Sequence, residues 1–177
     1  MKTYKATVKL TTDYLQAKFS EDAKKELEDY VSKGIIKNEE DSWKVLLYFD
    51  EKGIYIPNIH IRNSLVIAGR YLKLKKQRRS LEQWVISNIL IKPDKIYLNK
   101  TEPDKIIISY PKRKDGNRIK IIHPAINSET AFDFELEILD EMELKTIKQL
   151  IEIAGKNTGI GARRRDMFGR FKLINLI

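Results

Sequence analysis

The sequence has 177 residues, with 34 Lys and Arg against 25 Asp and Glu, a formal charge of +9. At 42% hydrophobic and 33% charged residues, it is a globular composition rather than a disordered one, long enough for a single domain, residues 1–177, with its own core. The absence of Cys excludes disulfide scaffolds, cysteine-ligated zinc and thiol nucleophiles. Two His leave little for a histidine metal site, so neither a metal nor another cofactor is expected. No apolar run is long enough to span a bilayer, and Met1-Lys2-Thr3-Tyr4 lacks a signal-peptide core, so the expectation is a cytoplasmic chain with no membrane role.

Taken in chain order, the first segment alternates: Tyr4, Ala6, Val8 and Leu10 against Thr3, Lys5, Thr7, Lys9 and Thr11. That predicts a strand with one buried and one wet face. Ser20 to Lys33 reads as a polar helix capped by Ser20 and stopped by Gly34. Trp43–Phe49 and Ile54–Ile56 read as strands around an Asp50-Glu51-Lys52-Gly53 turn. After Pro57 the period becomes helical, with Leu65, Ala68, Gly69 and Leu72 on one face and Asn58 as the cap. This predicts a helix over 59–76. The segment 81–91 is apolar without a decisive period. Lys105–Tyr110 and Arg118–His123 read as a hairpin turned at Asp115-Gly116.

Phe132, Phe134, Leu136 and Ile138 alternate with Asp133, Glu135 and Glu137, a second half-buried strand. Asp140 to Glu143 reads as a capping box for a helix carrying Leu144, Ile147, Ile151 and Ala154 and stopped at Gly155. A glycine loop and a last strand over 167–176 close the chain. The order strand, helix, strand pair, strand, helix, strand fits an α+β, ferredoxin-like (RRM-like) β-α-β-β-α-β core, with insertions near 13–55 and 77–104. In that arrangement the first and third core strands are neighbours. Lys5 and Lys9 then face Asp133, Glu135 and Glu137, a structural set of ion pairs.

The positive charge is segregated. Arg62 to Arg79 holds seven bases (Arg62, Arg70, Lys73, Lys75, Lys76, Arg78, Arg79) and no acid. Lys112, Arg113 and Lys114 crowd the hairpin turn, and Arg163, Arg164, Arg165, Arg170 and Lys172 crowd the C-terminal segment. Such patches are either solvated faces of ordinary elements or the footprint of a nucleic-acid interface.

The most informative stretch is Gly159-Ile160-Gly161-Ala162-Arg163-Arg164-Arg165-Asp166-Met167-Phe168-Gly169-Arg170-Phe171. Gly159 and Gly161 permit positive φ and close backbone approach. Successive N–H groups in such a loop cradle phosphate, and the arginines add forked donors. Phe168, Arg170 and Lys172 share one face of the expected strand, a combination that suits stacking of single-stranded bases. A glycine turn leading into an edge strand, with Phe168 in the core, explains the same residues structurally.

Gly159 to Phe171 resembles the C-terminal glycine-rich motif of the RAMP superfamily, the repeat-associated proteins of CRISPR systems. Ile56-Pro57-Asn58-Ile59-His60-Ile61-Arg62-Asn63-Ser64-Leu65 resembles the Ile-Pro-Gly-Ser-Ser-Leu-Lys-Gly segment opening the first core helix of effector backbone subunits. Asn58 and Asn63 replace its glycines, and His60 stands where Ser is frequent. The resemblance implies a ferredoxin-like core whose glycine loop and first helix contact RNA. It also implies a subunit of a ribonucleoprotein effector complex in antiviral defence, binding single-stranded RNA (or single-stranded DNA) and assembling as a homo-oligomer or with other subunits. Some members of the superfamily are metal-independent endoribonucleases using an Asp or a His. The corresponding candidates here are Asp41 and His60. Neither has a sequence partner to orient it, and the expectation is that no residue is catalytic. An adaptor that docks an acidic partner or self-assembles through the basic face is the alternative of a different class.

Overall fold

A computed structural model describes residues 1–18, 23–73, 80–112 and 114–177. The Ser20 cap, residues 75–79 of the basic run and Arg113 lie outside the described residues. Strand β1 (Lys2–Leu10) is followed by the short β2 (Tyr14–Leu15) and helix α1 (Ala23–Ser32). Residues 39–46 form a 3-10 helix rather than the strand expected from Trp43 onward. The Asn38 side chain accepts the Asp41 N–H and acids fill the first turn, a capping arrangement that favours helical backbone. Strands β3 (Phe49–Asp50) and β4 (Gly53–Pro57) flank the expected turn.

Helix α2 spans Asn58–Ala68 and passes into a 3-10 turn at Gly69–Tyr71, shorter than the helix expected to residue 76. Its cap is Pro57; Asn58 instead donates to Ile91 O (2.9 Å) and Asp94 Oδ1 (2.8 Å). The ambiguous segment resolves into α3 (Glu82–Asn88) and β5 (Ile89–Lys92), followed by β6 (Lys95–Tyr97). The hairpin is β7 (Lys105–Ser109) and β8 (Ile121–Ile126), and β9 is Ala131–Ile138. Helix α4 (Leu144–Ile153) is capped at Glu143, so the capping box expected from Asp140 does not form; the Asp140 carboxylate accepts the Glu141 N–H. The helix widens into a π turn at Ala154–Thr158, and the chain closes with β10 (Phe171–Leu176).

The main sheet has the order β10-β1-β9-β5, and every neighbouring pair is antiparallel. β1 and β9 pair over eight positions, Lys2 opposite Ile138 to Lys9 opposite Ala131. Ala6, Val8 and Leu10 therefore share a buried face with Phe132, Phe134 and Leu136. Helices α2 and α4 cover that face with Ile61, Leu65 and Ala68, and with Ile147, Leu150 and Ile151. On the wet face Lys5 pairs with Asp133 (2.9 Å), Lys9 with Glu129, and Glu137 with Lys92 (2.7 Å). The 105–126 hairpin does not enter this sheet. It joins β2 in a separate sheet, β2-β8-β7, and β5 takes the edge position beside β9. A third small sheet has the order β3-β4-β6. Among the described residues no helix is long and apolar enough to cross a membrane.

Gln16 ties the two small sheets together. Fully buried, its side chain donates to Tyr55 O (3.0 Å) and accepts the Tyr48 N–H (2.7 Å). Its backbone N–H reaches Pro124 O (3.0 Å), and its carbonyl lies 3.3 Å from His123 Nδ1. Truncation orphans two backbone groups at roughly 1–3 kcal/mol each. Gln16→Ala is expected to lower unfolding free energy by about 3 kcal/mol in urea denaturation; a loss below about 1 kcal/mol would mean that Gln16 is not the tie described.

Candidate nucleic-acid interface

The Gly159–Gly169 loop lies against the segment 12–16, joined by backbone hydrogen bonds. Ala162 N–H donates to Leu15 O (2.9 Å), Gly169 N–H to Asp13 O (2.7 Å) and Ile160 N–H to Gly169 O (2.9 Å). Contacts of this kind leave no room for side chains. A Cβ on Gly161 (φ +77°) would sit 2.4 Å from Leu15 O and from the Tyr14 ring, and one on Gly169 (φ +70°) would sit 1.9 Å from Ile160 O. Glycine is required at both positions by conformation and by space.

Between these glycines the chain makes a 3-10 turn, Arg164–Asp166, flanked by Arg163 and Met167 with φ of 56° and 71°. Left-handed backbone is uncommon outside glycine, and such outliers collect at functional loops. Arg163 Nε pairs with Asp166 (2.5 Å). The side chains of Arg164 and Arg165 have no partner among the described residues.

Arg170 turns inward and is only 8% exposed. Its Nη2 donates to Arg164 O (3.0 Å), whereas Nε and Nη1 are buried without a hydrogen-bond partner. Burial first, then the Arg164 guanidinium, push its pKa below the ordinary arginine value. A buried cation with no carboxylate beside it among the described residues is costly and leaves net positive potential beneath the loop. The strand begins only at Phe171, which is buried. The expected strand face of Phe168, Arg170 and Lys172 therefore does not exist: Phe168 and Arg170 precede the strand, Phe168 half-buried and Arg170 in the interior.

His60, in the first turn of α2, joins this site. Its Nδ1 lies 2.9 Å from the Tyr14 hydroxyl, and the two rings are edge-on at 6.1 Å. Tyr14 is fully buried, and desolvation raises its pKa, so the hydroxyl stays protonated and shares a hydrogen bond with His60 Nδ1. Nε2, the other ring nitrogen, has no hydrogen-bond partner among the described residues and is left open to solvent or ligand. Desolvation, then Arg164, lower the His60 pKa to about 4. The ring is therefore neutral at neutral pH and adds no charge of its own beside Arg164.

Other expected contacts lie elsewhere. Arg62 donates to Ile86 O (3.0 Å) and Arg70 is paired with Glu82 (2.7 Å), so both guanidiniums serve α3. Lys73 is exposed beside Ser80. Lys112 and Lys114 sit at the β7–β8 tip, about 17 Å of extended chain beyond His123; among the described residues no hydrogen bond or ion pair links that tip to the loop. Asp41 accepts the Lys37 N–H (3.1 Å) and pairs with Lys44 (3.1 Å). These partners hold its carboxyl below the usual range, the backbone bond foremost. It is a local turn residue.

Sequence reasoning missed Tyr14, Tyr48, Tyr55 and Tyr97. The signal was present in Ile54-Tyr55-Ile56 and Ile96-Tyr97-Leu98, where aliphatic neighbours at period two turn each Tyr outward.

No family model matches this sequence, and no curated protein matches it. Solved structures do match in fold. A chain in the cryo-EM structure of the Type III-B Cmr-beta complex bound to cognate target RNA is 17% identical with a TM-score of 0.61, over 99% of this chain and 59% of that one. A chain of a Type IV-B CRISPR complex is 9% identical with a TM-score of 0.52, over 99% of this chain and 90% of that one. This chain therefore spans little more than half the length of the first.

Folding favours neutral His60, so between about 4 and its ordinary value near 6.5 the unfolded chain binds more protons. This contribution to stability is complete above pH 6.5 and is lost as pH falls towards 4. In an NMR titration the His60 ring should change protonation with a midpoint near 4. A midpoint at 6 or above would contradict the Tyr14 bond and the burial assigned to it.

Proposed function

We propose that this chain is an RNA-binding subunit of a CRISPR-type ribonucleoprotein complex, gripping single-stranded RNA through its phosphates. The observation that carries the proposal is the glycine-clamped loop with Arg164 and Arg165 unpartnered above a buried, acid-free Arg170. Left-handed residues, backbone N–H groups and forked cations in one loop are the elements of a phosphate cradle. The two similar folds belong to chains of CRISPR complexes, one bound to target RNA, and support the same reading. Under it, the sheet order β10-β1-β9-β5 with α2 and α4 on one face is a ferredoxin-like core, and the two small sheets are insertions in a single domain. Single-stranded DNA is a weaker ligand in this reading, because the complex it describes is built around RNA.

An endoribonuclease role has less support. His60 Nδ1 is occupied by Tyr14, and Asp41 is held by its own turn. His60→Ala and Asp41→Ala are expected to reveal no lost cleavage.

The loop holds three consecutive arginines, Arg163, Arg164 and Arg165, with Arg163 paired to Asp166. Neutralising about three phosphates of a single strand gives a log–log salt slope near −2, from roughly −0.7 per contact. Arg164→Ala with Arg165→Ala should bring the slope to about −0.7 and weaken unrelated RNA sequences equally, since phosphate contacts carry no base information. Fluorescence anisotropy across salt measures both. A wild-type slope near zero, or a double variant with unchanged affinity and slope, would overturn the assignment.

A further inference from the structure

Beyond the loop, the rings of Tyr97, Tyr55, Tyr48 and His60 form a continuous file, with successive centroids 5.9, 5.8 and 5.3 Å apart. Tyr55 and Tyr97 are direct cross-strand partners on β4 and β6. Their neighbours Ile54, Ile56, Ile96 and Leu98 turn inward and are buried, so the two phenol rings occupy the outer face of the small sheet. All four rings of the file are half-buried. Interplanar angles of 57° to 85° show that no ring of the file lies flat over another.

What lies over those faces is cationic. Lys95 Nζ is 4.9 Å from the Tyr55 centroid and Lys52 Nζ is 6.0 Å from that of Tyr97. The Lys95 side chain is 47% exposed, so a planar ligand that takes its place over Tyr55 displaces a chain already half in solvent. Asp50 accepts from Lys95 Nζ (2.6 Å) and from the Tyr97 hydroxyl (2.9 Å). That carboxylate offsets the Lys95 charge and makes this end of the file unsuited to phosphate, while a neutral ring is not repelled. At the other end His60 lies in the electrostatic field of Arg164. The surface thus grades from a cationic loop to a near-neutral aromatic face.

We propose that Tyr55 and Tyr97 are a base-stacking site: a single strand held by its phosphates at the arginine loop runs along the ring file and lays neighbouring bases on these two rings. The proposal rests on the RNA-binding reading above and adds to it the contact made by the bases. Each stacked base is expected to raise affinity about ten-fold, with little dependence on base identity, because every base has a π face.

The test compares an oligouridylate of about ten nucleotides with an abasic ribose-phosphate oligomer of the same length at one salt concentration. Wild-type protein should bind the oligouridylate at least about ten-fold more tightly. Tyr55→Leu with Tyr97→Leu should erase that preference and leave affinity for the abasic strand unchanged, whereas Tyr55→Phe with Tyr97→Phe, which keeps the rings, should retain it. A strand carrying 2-aminopurine should be quenched on binding wild-type protein, a readout independent of whether the leucine variant folds. Equal binding of the two strands by wild-type protein, or absence of quenching, overturns the stacking site and leaves the phosphate reading standing. Binding of neither strand at low salt overturns both.

Discussion

The contact on which the rest depends is the close approach of the 159–169 loop to residues 12–16, made by backbone hydrogen bonds and by the Thr12 hydroxyl, which donates to Met167 O and accepts the Arg170 N–H. Gly161 and Gly169 make it possible, since a Cβ at either position would meet a carbonyl oxygen. The bond from Gly169 to Asp13 and that from Ala162 to Leu15 fix the loop at both ends. The intervening residues then have one way to close, a 3-10 turn flanked by left-handed Arg163 and Met167. That closure puts Arg164 and Arg165 outside and Arg170 inside. The same contact packs Gly161 onto the Tyr14 ring, whose hydroxyl holds His60. Loop, strand β2 and helix α2 are therefore positioned by one close approach.

Charge alone overstates the interface. A chain of net charge +9 offers many candidate phosphate ligands, yet several of its cations serve the fold. Arg70 pairs with Glu82, Lys5 with Asp133, Lys92 with Glu137 and Lys95 with Asp50. Exposed pairs of this kind contribute about 0–1 kcal/mol each, enough to orient a side chain and too little to explain stability. The apolar sandwich of β1, β9, α2 and α4 supplies the latter. What distinguishes the loop is cations with no carboxylate partner among the described residues: Arg164 and Arg165 on the outside, and Arg170 buried with two guanidinium nitrogens unmet.

The strands β1 and β9 were legible because a period of two over eight or nine residues admits one structure, and their charges pair as that alternation implies. The glycine loop was legible as a conformation, since Gly159 and Gly161 adopt the positive φ that the residue type permits. The strand expected over 43–49 was misread in its first part: residues 43–46 belong to a 3-10 helix that Asn38 and three acids cap. Segment 89–92 was missed as a sheet strand because four residues give no period. Arg170 was placed on a strand face with Phe168 and Lys172, but the strand begins only at Phe171, and the guanidinium turns inward to Arg164 O. Arg62 looked free because its partner is a backbone carbonyl of α3, which no sequence pattern announces.

The central claim is that nucleic acid meets this chain at the glycine-clamped loop and the surface running from it. Photo-crosslinking of a 4-thiouridine single strand, followed by mass-spectrometric mapping of adducts, tests it most directly. The account predicts adducts within residues 159–169 and around His60. Adducts confined to the 112–118 hairpin tip, or spread evenly over the basic surface, would contradict it.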